Sequence, residues 1–241
     1  MESDVDWDMR IKQIMVGVGQ GTKAVADWPF DHDGPPQPSE TPRHTRDMSI
    51  PRPSPYGNKW DLIWLGHCGS AANGDGRIFA FNDTSAPDKE HAWVYGPHPT
   101  DDQREPGTRI VYHLKETVCT TAYAISNSGA RKMERAFKEA NAPVDTKMWD
   151  TCAHDHHLSC LGVFPQVISP AESRTNINHD EGGFVFGHEI TEERLVAGKG
   201  IQVSSRVNAD LGLADKGPEG WKWEWEDEGK KVETEGKERD T

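Results

Sequence analysis

Apolar positions along this chain come in short runs of two different periods. From Leu62 to Gly66, Trp60-Asp-Leu-Ile-Trp-Leu-Gly-His-Cys-Gly69 is nearly all apolar and stops at a glycine-rich turn, the pattern of a buried strand. In Cys119-Thr-Thr-Ala-Tyr-Ala-Ile-Ser-Asn-Ser-Gly-Ala-Arg-Lys-Met133 the period changes partway. Thr120, Thr121, Tyr123 and Ile125 are β-branched or aromatic and suit a pleated surface. Ser126 or Ser128 then offers a hydroxyl to cap a helix, and Ala130, Met133, Phe137 and Ala140 follow at spacings of three and four, one apolar helical face. A strand running straight into a capped helix predicts a layered α/β domain. Arg77–Phe81, Arg109–Tyr112 and Val163–Ile168 read as further short strands, and 200–207 as one more. Met9–Met15 reads as a helix with acids at its positive end, and about 146–158 as a second helix.

Between these runs the pattern breaks down. Residues 29–55 hold eight of the sixteen prolines, which favours an extended, mobile loop over 29–56. From Lys216 onward 15 of 26 residues are charged, so 216–241 reads as a disordered tail beyond a domain of 1–215. Trp221, Trp223 and Trp225 alternate with Lys and Glu inside it, as a solvated or edge segment or as an aromatic dock for a partner. The formal charge of −13 argues against nucleic acid as the main partner, because phosphate binding needs a basic surface. No run approaches the roughly 18 apolar residues of a membrane span. The four cysteines, Cys68, Cys119, Cys152 and Cys160, permit disulfides without demanding them.

Four features bear on chemistry. Glu2, Asp4, Asp6 and Asp8 set four carboxylates within seven residues, either a lead-in that caps a helix or oxygen ligands for Mn²⁺ or Mg²⁺. Asp145, just before the second helix, is an N-cap, a base for a hydroxyl nucleophile, or both. His67 closes a strand at the sheet edge where α/β proteins bind ligands, or is simply a turn residue. Cys152-Ala-His-Asp-His-His-Leu-Ser-Cys160 carries zinc-type ligands but fits no standard zinc spacing, which favours packed or disulfide-linked cysteines. Gly17-Val-Gly-Gln-Gly21 lacks a preceding strand and is weak as a phosphate loop.

Five segments occur in a telling order: Glu2–Asp8; Trp60–Gly69; Phe81-Asn-Asp83 with Thr108-Arg-Ile-Val111; Cys119–Met133; and Pro143-Val-Asp145 through Pro165. Together they resemble fungal proteins of glycosyltransferase family 25, relatives of lipooligosaccharide and procollagen galactosyltransferases. The resemblance implies a GT-A-like α/β fold that moves a hexose, often galactose, from a nucleotide sugar such as UDP-galactose to a hydroxyl of a glycan or protein. It implies Glu2 and Asp4 as holders of Mn²⁺ or Mg²⁺, Asp145 near the acceptor, and His67, with Gly66 and Gly69, lining the donor pocket. It also suggests the secretory pathway. Ser3 stands where the family has an aspartate. The family places a βαβ half before the acidic motif, whereas this chain opens on it. The expectation is therefore a partial transferase domain, its acidic strand short of sheet neighbours and its activity weak or absent alone. An interaction module without a donor site, and a Cys/His metal-binding protein, are the competing readings.

Overall fold

The computed structural model describes residues 5–27, 54–73, 77–89, 91–92, 104–137, 142–154, 158–171 and 200–224. The alternation of strand side chains builds two apolar layers on a mixed sheet. In β2 (Leu62–Gly66), Leu62 and Trp64 face one cluster while Ile63 and Leu65 face the other. In β7 (Cys160–Phe164), Cys160 and Phe164 join the first, and Leu161 and Val163 the second. β5 (Thr108–Val118) divides likewise, with Ile110 and Tyr112 on one side and Val111 on the other. The long helix α1 (Ile11–Asp27) covers the Ile63 side through Ile14, Val18 and Val25. α2 (Asn127–Ala136) and α3 (Val144–His154) supply Met133 and Met148 to the Trp64 side. The chain is thus mixed α/β, as its periodicities predict.

The sheet runs β3 (Gly69–Ala72), β5, β7, β2, β6 (Ala122–Ile125), and β4 (Ile78–Asn82) also pairs with β5. Only β2 and β7 pair in parallel; the other pairings are antiparallel. β5 is long enough to hold β4 along Thr108–Tyr112 and β3 along Leu114–Val118. The Trp60–Gly69 strand and the Cys119 strand-to-helix step are both present. Of the two possible caps, Ser126 accepts the Gly129 N–H at 3.0 Å, and Ser128 instead bonds Asp61.

Several expectations change. The 163–168 strand is two: β7 ends at Phe164 and β8 (Ile168–Pro170) begins after a turn that Arg109 holds through the Pro165 and Gln166 carbonyls. The predicted strand over 200–207 is a single bridge, Asp8 to Ser204, followed by the short helix α4 (Ser205–Asp210), whose first turn Ser204 caps through the Val207 N–H. The helix expected over 9–15 begins at Ile11 and continues to Asp27, so it contains the glycine run. Those glycines serve contact rather than phosphate: a Cβ at Gly17 would lie 2.2 Å from the Phe81 ring, and one at Gly21 2.5 Å from Val111. The acidic strand does have a neighbour, since β1 (Val5–Trp7) pairs antiparallel with β8, Val5 opposite Pro170. Most of the proline-rich loop (28–53) and the end of the tail (225–241) lie outside the described residues. Residues 216–224, counted as tail by composition, are tied to α4 and to Gln202 by backbone and side-chain hydrogen bonds. Among the described residues no helix is long and apolar enough to cross a membrane.

Candidate functional site

The turn after β2 and the turn after β5 meet because β3 lies antiparallel to the far half of β5, with Gly69 opposite Val118. That pairing sets Cys68 beside Cys119, Cα to Cα 5.5 Å, and the two form a disulfide. The Cys68 N–H donates to the Val118 carbonyl at 2.9 Å. Cys119 is then held from two further sides, in a left-handed backbone. Its carbonyl accepts the Trp64 indole N–H at 2.8 Å, its N–H donates to Asp145 Oδ2 at 3.0 Å, and its backbone takes φ +67°. Asp145 sits in the first turn of α3, where its Oδ1 accepts the Thr146 N–H at 2.7 Å. Gly66 belongs to the same junction: a Cβ there would stand 2.4 Å from the Ile168 carbonyl oxygen and 3.0 Å from the Ala122 nitrogen. The fold thus brings the Gly66–Gly69 turn, through Cys68, and Asp145 to Cys119, whereas the His67 side chain is buried against Val163 and Phe164 and does not line a pocket as expected. Asp145 is not the N-cap that its position predicts: it lies inside α3, which begins at Val144, where Oδ1 bonds the next residue's N–H while Oδ2 reaches across to the strand end. Sequence reasoning did not single out Cys119. The chain shows Cys119 only as the head of the Cys119–Met133 segment, and its place at a strand end emerges only because β5 runs on to Val118.

His67 points inward and is 1 % exposed. Its Nε2 lies 3.0 Å from the Val163 carbonyl and 3.3 Å from Ser70 Oγ, and its ring stacks on Phe164. The carbonyl can only accept, so this contact places the proton on Nε2 and leaves Nδ1 a buried lone pair without a hydrogen-bond partner. Ser70 Oγ also bonds the Tyr112 hydroxyl. Burial lowers the imidazole from 6.5 to about 4 and pushes the Tyr112 phenol above its ordinary range. Gly162 lets this cluster form, because a Cβ there would lie 2.7 Å from the Tyr112 ring.

Of the opening carboxylates, Glu2 and Asp4 lie outside the described residues. Asp6 and Asp8 are 0 % and 2 % exposed and committed to the protein's own donors. Asp6 Oδ1 accepts from the Trp7 N–H, the Ser205 hydroxyl and the Arg206 N–H. Asp8 takes Arg10 in a two-point pair at 2.7 Å each and also accepts the Val203 N–H at 3.1 Å. Arg10 continues to Gln202 Oε1 at 3.0 Å and lies 4.9 Å from the centre of the Trp223 ring. Asp6 and Asp8 therefore do not fit a cation site. Among the described residues no group of three or more His, Cys, Asp or Glu is arranged to hold a metal.

Cys152 and Cys160 form the second disulfide, and no free cysteine remains. This removes the thiolates that a Cys/His zinc site would need. Two buried charge hubs lie outside the sequence-predicted set. Asp83 pairs with Arg109 at 2.6 Å, and Arg109 also donates to the carbonyls of Pro165 and Gln166, fixing the turn between β7 and β8. Asp61 joins Lys132, Ser128 and the Ser159 N–H, tying α2 to the start of β7. The chain matches no protein-family model, no curated protein and no solved structure.

Proposed function

We propose that this chain is a glycosyltransferase-type polypeptide of GT-A-like design, transferring a hexose from a nucleotide sugar to an acceptor hydroxyl. What supports the reading is the convergence of the Gly66–Gly69 turn and Asp145 on Cys119, which joins in space two segments of the family-25 resemblance that are far apart in sequence. Asp145 is the base for the acceptor hydroxyl in this reading. Its carboxylate is half-buried: Oδ1 accepts the N–H and, at 3.5 Å, the hydroxyl of Thr146, while Oδ2 accepts the Cys119 N–H and has a second lone pair to offer a substrate proton. A divalent cation such as Mn²⁺, which offsets the charge on a departing diphosphate, belongs to Glu2 and Asp4. Paired cysteines fit an oxidising compartment of the secretory pathway.

The test is transfer from UDP-galactose in the presence of Mn²⁺. Asp145→Asn should lower kcat by roughly a hundredfold or more while leaving UDP binding intact. Transfer that is unaffected by this change would remove Asp145 from the mechanism. A second reading, a module of the same fold without catalysis, is favoured by the internal commitment of Asp6 and Asp8. Calorimetry separates the two: UDP with Mn²⁺ gives heat for a transferase and none for a silent module.

A further inference from the structure

Cys119 is the one non-glycine residue among those described with a left-handed backbone. A side chain disfavours that conformation, and it persists only where the surroundings impose it. Here the impositions can be named. The disulfide to Cys68 fixes the side chain, the Trp64 indole fixes the carbonyl, and Asp145 receives the N–H. Cys68 is itself anchored by its N–H on the Val118 carbonyl and by the β3–β5 ladder that begins at Gly69. The amide of Cys119 can therefore reach the Asp145 carboxylate only while the loop end is held in this form. Cys68 is buried and Cys119 partly buried.

We propose that Cys119 is the positioning residue for Asp145, and that the Cys68–Cys119 bond is a redox latch on that position. The proposal rests on the reading of Asp145 as the base. In the reductive step a thiolate of a dithiol attacks one sulfur and the Sγ–Sγ bond breaks. The second thiol of the reagent resolves the mixed disulfide. Two protons finish on Cys68 and Cys119, and the dithiol leaves as its own cyclic disulfide. Cys119 then relaxes out of the left-handed region, its N–H swings off Oδ2, and Asp145 keeps only its bonds from Thr146, on the other oxygen.

The decisive measurement is hydrogen exchange at the Cys119 amide, with dithiothreitol as the reductant. Reduction of the folded protein should speed that exchange at least tenfold while the β7 amides around Leu161 stay protected. In the oxidised protein, Asp145→Ala should do the same, and Asp145→Asn, which keeps an acceptor oxygen, should not. A Cys152→Ser/Cys160→Ser double variant should respond to reductant as the parent does, which assigns the response to the Cys68–Cys119 bond. Where transfer is measurable, reduction should lower kcat by roughly tenfold or more with donor KM unchanged. Unchanged exchange on reduction overturns the proposal, as does simultaneous loss of protection across β7, which would make the bond a plain cross-link. Unaltered exchange in Asp145→Ala overturns it too. If exchange responds as stated but no form of the protein transfers sugar, the assignment of Asp145 as a base fails and the latch stands.

Discussion

His67 is buried with Nδ1 unpartnered, and burial disfavours its cation enough to move it from 6.5 to about 4. An unfolded chain takes up that proton near 6.5, so between pH 6.5 and 4 the unfolded state binds more protons than the folded one. The stability this group allows is complete above pH 6.5 and falls as the pH drops toward 4, by roughly 3 kcal/mol. His67→Gln should flatten that acid limb. The check is the urea midpoint of both proteins at pH 7 and pH 4.5, and an equal gap at the two pH values contradicts the account. Asp61 shows the opposite sign. Burial alone would raise its carboxyl, but hydrogen bonds from Lys132, Ser128 and Ser159 hold it below the ordinary 3.8. Its contribution is present above 3.8 and is lost as the pH falls through the lower folded value. Asp61→Ala leaves the part-buried Ser159 N–H without this acceptor and removes the Asp61 bonds of Ser128 and Lys132, so it should cost about 2–4 kcal/mol at pH 7 in denaturant unfolding. That difference should shrink in strong acid.

At the scale of elements, backbone approach outweighs propensity. Alanine exceeds glycine in helix preference by about 1 kcal/mol. Even so, Gly129→Ala should destabilise the protein, because the added Cβ would lie 2.2 Å from the Asp61 carbonyl oxygen where α2 crosses the start of β2. A net loss of about 1–3 kcal/mol is expected, read from the denaturant midpoint. A gain would show that α2 does not sit this close. The two disulfides differ in reach as well as place. Chain-entropy reasoning gives about 4 kcal/mol for the bond spanning 51 residues and about 2.5 kcal/mol for the one spanning 8. Losing Cys68–Cys119 should therefore lower the melting temperature more than losing Cys152–Cys160, a ranking that scanning calorimetry of Cys68→Ala and Cys152→Ala can check. The strand-to-helix step at Cys119–Met133 was legible because it is local: β-branched residues, a hydroxyl cap and an i, i+3, i+4 face follow one another in the chain. The break in the 163–168 strand was less so, because the turn is held by Arg109, more than fifty residues away, on the Pro165 and Gln166 carbonyls.

Across the whole molecule, the two ends of the described chain clasp each other. Within the 200–224 end, Asn208 imitates a backbone: its Nδ2 donates to the Lys222 carbonyl at 3.1 Å, and its Oδ1 accepts the Lys222 N–H at 2.7 Å. The Glu224 N–H reaches the Gln202 carbonyl, and Gln202 meets Arg10 beside Asp8. Asn208→Ala should open this clasp, costing about 2–3 kcal/mol and exposing Lys222 to trypsin in a limited digest. An unchanged digest would mean that the segment is held elsewhere.

The pattern of apolar positions by itself determined the α/β class, the buried Leu62–Gly66 strand and the capped helix that follows the Cys119–Ile125 segment, because each of these follows from neighbours along the chain. Only the tertiary structure decided how the ionisable groups are used. It turned Asp6 and Asp8 inward to Arg10, Val203 and Ser205, drew 216–224 out of the apparent tail, paired the cysteines and carried Asp145 to Cys119. An acid's availability depends on which donors reach it. Those donors lie 26 residues from Asp145 and 195 from Asp8, beyond anything that spacing along a chain can report.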